Sequence, residues 1–159
     1  MNKKGFTLIE LLIVVAIIGI VAAIAIPNLL VAMQKGKQKA TMGDMKSVGN
    51  AIESYITDWS FAPQANNVTL GAGLDFGWFR PFYIKVLPLR DGWGTAFMYY
   101  AGVVGNADQD IYSTESWGRD KLIATAVAAG EYPVVTMADF NNNIIYSNGQ
   151  FTLGPQVKR

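Results

Sequence analysis

The stretch GFTLIELLIVVAIIGIVAAIAIP, residues Gly5 to Pro27, decides how this chain folds. From Phe6 to Ile26 nearly every side chain is apolar and Glu10 carries the only charge. A run of about 20 such residues is long enough to cross a bilayer as a helix and too long for a buried strand. Leu, Ile, Phe and Val fill 14 of the positions. At roughly 0.3–0.6 kcal/mol each they favour the membrane by very roughly 4–8 kcal/mol. A carboxylate costs about 2.5–3.5 kcal/mol at mid-bilayer and less near an end, so insertion is expected despite Glu10. Lys3 and Lys4 precede the run. Flanking cations are retained on the cytoplasmic side, which orients the span N-in, C-out. A secretory signal peptide would carry its small-residue cleavage site after an apolar core of about 7–15 residues. Here Gly5 stands before the run, so cleavage at Gly5 would leave the apolar segment on the mature chain.

The residues Lys4-Gly5-Phe6-Thr7-Leu8-Ile9-Glu10 resemble the type III signal of type IV pilins and of the pseudopilins of type II secretion, and the likeness extends through Pro27. The resemblance implies a leader of residues 1–5, cut after Gly5 by a prepilin peptidase that also methylates the new amino terminus at Phe6. It implies further that Glu10, with Phe6 and Thr7 beside it, serves assembly by meeting the Phe6 amine of a neighbouring subunit. Physics is consistent with that role, because a carboxylate in hydrocarbon is stabilised when a cation is delivered to it. The alternative is a glutamate that snorkels to the headgroups near the helix end. Gly19 and Pro27 are the weak points of the span. Proline removes a donor and crowds the preceding turn, so a kink or local melting is expected at Pro27. In the family, the stretch between the matching glycine and proline loses helicity in assembled filaments.

The remainder of the 159 residues suits one small domain. With 13 Lys and Arg against 12 Asp and Glu, the net charge of +1 recommends no nucleic-acid partner. Cysteine and histidine are both absent. That removes disulfides, thiolate chemistry, Ser-His-Asp and Cys-His catalysis and the usual zinc sites. Gly71, Gly73 and Gly77 match neither a dinucleotide fingerprint nor a phosphate loop. Glu115, Asp120 and Glu131 do not by themselves define an acid/base pair, so no enzyme is expected.

Residues 27–59 read as a second, amphipathic half of the helix. Met45, Val48, Ile52, Tyr55 and Trp59 recur at spacings of three and four, one apolar face that should hold a globular head. Gly36, Gly43 and Gly49 each weaken a helix by about 1 kcal/mol relative to Ala, unless they serve close helix contacts. Lys35, Lys37 and Lys39 form a basic stripe, followed by Asp44 and Glu53. That stripe is either a solvated face or a surface for subunit contact or anionic headgroups. Residues Ser60 to Gly77, rich in Pro, Asn and Gly, read as a long loop, and Asn67-Val68-Thr69 fits a glycosylation sequon.

Beyond it, Trp78, Phe79, Phe82, Tyr83, Trp93, Phe97, Tyr99 and Tyr100 cluster as a core, with a ligand or carbohydrate platform as the alternative. Leu87-Pro88-Leu89-Arg90-Asp91-Gly92-Trp93-Gly94 is similar to the Leu-Pro-x-Asp-Pro-Trp-Gly segment of G-type major pseudopilins, with Gly92 in place of proline. Strands are expected at Phe97–Tyr100 and Asp110–Ser113. Ile144–Ser147 and Gln150–Leu153 flank Asn148-Gly149, a strong hairpin signal. G-type pseudopilins bind calcium in a loop to which Ser116-Trp117-Gly118-Arg119-Asp120-Lys121 corresponds. The resemblance thus nominates Ser116, Asp120 and a later Asp139 as calcium ligands, with Lys121 where glycine is usual. The expected fold is α+β: a long N-terminal helix against a small antiparallel sheet in a head of residues 60–159 (membrane half 6–26). The expected role is a subunit of a homo-oligomeric filament, drawn from the inner membrane by an assembly platform and its ATPase, in type II secretion or alternatively in a surface type IV pilus. A membrane-tethered binding module is the third reading.

Overall fold

The computed structural model of the chain describes residues 5–64, 68–74, 79–102, 105, 107–122 and 130–156. Helix α1 runs from Leu8 to Trp59 without interruption. It stays helical through Gly19 and Pro27, so the local melting expected at the proline does not occur in the single chain. Pro27 deletes one donor while the turns on either side keep theirs. The helix ends where Ser60 turns left-handed, φ 63°, with its N–H still donating to the Ile56 carbonyl at 2.7 Å.

By contact density the chain divides into residues 1–35 and residues 36–159. In the first unit α1 is apolar all round from Leu11 to Pro27 and its large side chains there are exposed; it is the one helix among the described residues long and apolar enough to cross a membrane. The second unit holds the rest of α1 and a six-stranded sheet: β1 (Val68–Thr69), β2 (Met98–Ala101), β3 (Tyr112–Ser116), β4 (Gly130–Tyr132), β5 (Ile144–Ser147) and β6 (Gln150–Pro155). Their spatial order is β1-β2-β3-β5-β6-β4. All neighbouring pairs are antiparallel except β4 with β6, which makes the expected antiparallel sheet a mixed one.

The core lies where α1 meets the sheet. Met45, Val48, Ile52 and Tyr55 are buried against Phe79, Phe97, Tyr99, Tyr112, Ile144 and Tyr146. Each fully buried large apolar side chain contributes about 1.5–3 kcal/mol, which more than offsets the helix-weakening glycines. Gly49 shows why one of those glycines is there: a Cβ would run into the Tyr146 ring and lie 3.1 Å from the Tyr112 hydroxyl. Trp59, expected on the same face, is instead 56% exposed.

Residues 60–77, read as loop, contain β1 and a short helix α2 (Leu70–Leu74). Leu70 and Leu74, one turn apart, are both buried, and that pair of anchors is enough to wind the segment. Asn67 of the sequon and Trp78 lie outside the described residues. At the tip between β5 and β6, Asn148 and Gly149 take φ 45° and 82°, both positive as a two-residue hairpin of this type requires.

Candidate functional site

Two sites are built from the residues singled out above. The first is the start of α1. Thr7 precedes the helix and Glu10 sits three residues later, the Thr-x-x-Glu arrangement of a capping box. The Glu10 carboxylate accepts from the Thr7 N–H at 2.8 Å and from the Thr7 hydroxyl at 2.7 Å, and the Thr7 Oγ1 accepts from the Glu10 N–H at 3.3 Å. A single exposed carboxylate is thus held at the helix entrance by Thr7, the residue after Phe6, which is itself exposed. Glu10 and Thr7 are brought together. Neither a neighbour's amine nor a headgroup is needed to orient the side chain. The Thr7 cap was readable from the spacing alone.

The second site clamps the Leu87–Gly94 segment onto α1. Asp91 is buried, and its Oδ1 accepts from the N–H groups of Trp93 at 3.0 Å and Thr95 at 2.8 Å. Its Oδ2 accepts from the Ser116 hydroxyl at 2.7 Å, tying the turn to the end of β3. Gly92 then donates its N–H to Oγ1 of Thr41 on α1 at 2.9 Å. A Cβ on Gly92 would lie 2.5 Å from the Lys37 carbonyl oxygen, so the segment approaches α1 as closely as backbone permits. Thr41 and Gln38 are buried polar residues of α1, the latter donating to the Tyr132 hydroxyl at 3.4 Å. Sequence reasoning missed both. The signal was present, because 38, 41, 45, 48, 52 and 55 continue one three-and-four spacing, and polarity concealed its first two members.

The residues nominated for calcium are committed elsewhere. The Ser116 hydroxyl donates to Asp91. Asp120 accepts from the Leu122 N–H of its own turn at 3.1 Å. Asp139 Oδ2 accepts from the N–H groups of Thr136 at 2.6 Å and Val135 at 2.9 Å and from the Thr136 hydroxyl at 3.0 Å, opening the 3-10 turn Met137–Asn141. The backbone N–H of Thr136, then that of Val135, then the Thr136 hydroxyl hold the Asp139 carboxyl below its usual value. Calcium asks for six to eight oxygens converging on one point. Among the described residues no three acidic side chains gather in that way. As arranged, Ser116, Asp120 and Asp139 each serve a separate hydrogen bond. Glu115 is likewise spent: it accepts from Asn143 Nδ2 at 2.7 Å and from the Tyr100 hydroxyl at 3.3 Å.

Comparison with known proteins bears on the chain as a whole. Residues 1–26 match the prokaryotic N-terminal methylation motif. Over 145 residues the chain is 35% identical to the type II secretion system core protein G of Vibrio cholerae, which covers 84% of this chain and 94% of that protein. The chain belongs to the type II secretion system core protein G family. A second relative, core protein G of Pseudomonas aeruginosa, is 32% identical over 128 residues, 75% of this chain and 87% of its own. Similarity reaches beyond the core protein G family to a type IV major pilin of Neisseria gonorrhoeae, 32% identical over 121 residues, but those span only 63% of the pilin. A proline at position 92 would have no N–H to give Thr41, and Gly92 supplies one.

Proposed function

We propose that the chain is the major pseudopilin of a type II secretion system, a non-enzymatic structural subunit whose growing filament drives protein export across the outer membrane. The observation that carries this reading is the match to core protein G proteins over most of both chains, membrane helix and head together. In this reading the subunit waits in the inner membrane as a single N-in span. A prepilin peptidase cuts after Gly5 and methylates the Phe6 amine. The assembly platform and its ATPase then lift the subunit into a filament of identical copies.

The capping box suggests how Glu10 does its part. Its carboxylate is held next to residue 6 by Thr7 before any partner arrives. A neighbour's amine delivered into hydrocarbon finds the counter-charge already oriented, and a subunit in the wrong register leaves it bare. Gly19 and Pro27 mark where packed helices would unwind most readily.

Deletion of the gene, with secreted proteins and surface filaments scored in the same cultures, tests the reading. The expected outcome is loss of secreted enzymes and their accumulation behind the outer membrane with surface pili intact. Loss of surface fibres with secretion unchanged would make the chain a type IV pilin.

A further inference from the structure

The end of α1 and the segment after residue 79 form an open cleft of about 700 Å³ lined by Tyr55, Asp58, Trp59, Phe61, Phe82 and Tyr83. Five of the six are aromatic and the sixth is an acid. The rings are set against one another: Tyr55 and Trp59 stack with centroids 6.1 Å apart, and Tyr83 meets Tyr55 edge-on at 5.3 Å and Phe82 at 4.8 Å. Trp59 and Phe82 are 56% and 77% exposed, a large unburied aromatic area in a head that otherwise buries its rings well. The polar groups of the cleft have sorted themselves in one direction. Trp59 Nε1–H donates to the Tyr83 hydroxyl at 3.1 Å, and that hydroxyl donates to Asp58 Oδ2 at 2.8 Å. These two donors are spent inside the cleft, and the relay ends on a carboxylate. A glycan needs donors as well as acceptors. What this cleft offers is ring faces and a negative charge, which together select a cation.

The same chain carries the complement. Lys37, Lys39 and Lys46 are exposed on α1, 21, 19 and 12 positions before Asp58. At 1.5 Å per residue, they stand about 32, 28 and 18 Å from it along one helix. A rigid helix cannot fold its own lysines back into the cleft, so complementary surfaces displaced along one axis can meet only between copies. Between copies that run parallel, as in the filament reading, such a contact is heterologous, and a heterologous contact that does not close into a ring propagates into an open filament. We infer that the aromatic cleft at Asp58 receives a lysine from the Lys37–Lys46 stretch of a second copy of this chain, an inter-subunit contact that sets the axial offset between neighbours. It rests on the filament reading given above.

Filaments of the full chain treated with a zero-length carbodiimide, which joins a carboxylate only to an amine in contact with it, test this directly by peptide mass spectrometry. The expected product joins the Asp58 peptide to that of Lys37, Lys39 or Lys46, and the lysine found reports the offset. Asp58→Lys should lower filament yield by about tenfold or more, and Asp at the identified lysine should restore it. Trp59→Leu, which keeps the charge and removes the ring, should weaken assembly without abolishing the cross-link. Intact wild-type filaments in which Asp58 joins none of these lysines would overturn the contact and leave the filament reading standing. Chains that form no filament at all would remove both.

Discussion

Gly92 is held at the closest approach of its segment to α1, and that approach has a measurable energetic signature. Its N–H bond to Thr41 and its contact with the Lys37 backbone leave room neither for a side chain nor for a missing donor. Gly92→Ala should therefore destabilise the head by about 1–3 kcal/mol, read as a shift in the denaturant midpoint of the detergent-solubilised chain. Thr41→Val, which removes the acceptor and keeps the volume, should cost about 1–2 kcal/mol. The double variant should fall short of the sum, because both changes break the same bond. Full additivity would show that the clamp does not couple the two positions. Asp91→Ala should be worse, about 3 kcal/mol or more, since three donors in a buried setting lose their acceptor together.

At the scale of elements, the β5–β6 hairpin makes the cleanest experiment. Asn148 has a left-handed φ of 45° and its Oδ1 also accepts from the Tyr112 N–H at 3.0 Å, tying the turn to β3. Asn148→Gly loses only that bond, about 1 kcal/mol, whereas Asn148→Ala adds left-handed strain and should lose about 2 kcal/mol or more by thermal unfolding. Equal losses would mean that the turn is not strained. This hairpin was legible in the sequence because Asn-Gly is a local signal, as was α1, whose pattern repeats over many turns. Strand β3 was placed early, at residues 110–113 against the observed Tyr112–Ser116, because Glu115 and Ser116 are polar yet buried by partners distant in sequence. Strand β4 could not be foreseen, since its parallel pairing with β6 rests on Gly130, Glu131 and Tyr132, none of which alternates. The capping role of Thr7 was legible and went unread. The commitment of Ser116 to Asp91 was not, for it joins residues 25 apart.

For the whole molecule, two predictions follow from how its polar groups are spent. Calcium and chelator should give the same melting temperature, because Ser116, Asp120 and Asp139 are already engaged; a rise of several degrees with calcium would show that these bonds rearrange around an ion. The second concerns alkali. Burial, countered by the Gln38 bond and helped by the Asp139 charge, pushes the Tyr132 hydroxyl up to about 12, and burial raises Tyr99 and Tyr112 further. Below pH of about 10 these phenols are neutral in both states and the stability is complete. Above it the unfolded chain releases protons that the folded chain retains, so stability falls by up to about 1.4 kcal/mol per pH unit for each tyrosine until the folded values are passed. Melting temperature should therefore drop progressively from about pH 10 to pH 12, and Tyr99→Phe should flatten the slope; a flat profile for the native chain would contradict the burial argument.

The clamp that fixes the Leu87–Gly94 segment to α1 and β3 is made of hydrogen bonds and apolar packing, in a chain with no cysteine at all. Its closure is then indifferent to redox history. Oxidative folding takes seconds to hours and depends on an oxidant and an isomerase, and a head held in this way waits on neither. Closure of the head should therefore proceed as readily without oxygen as with it.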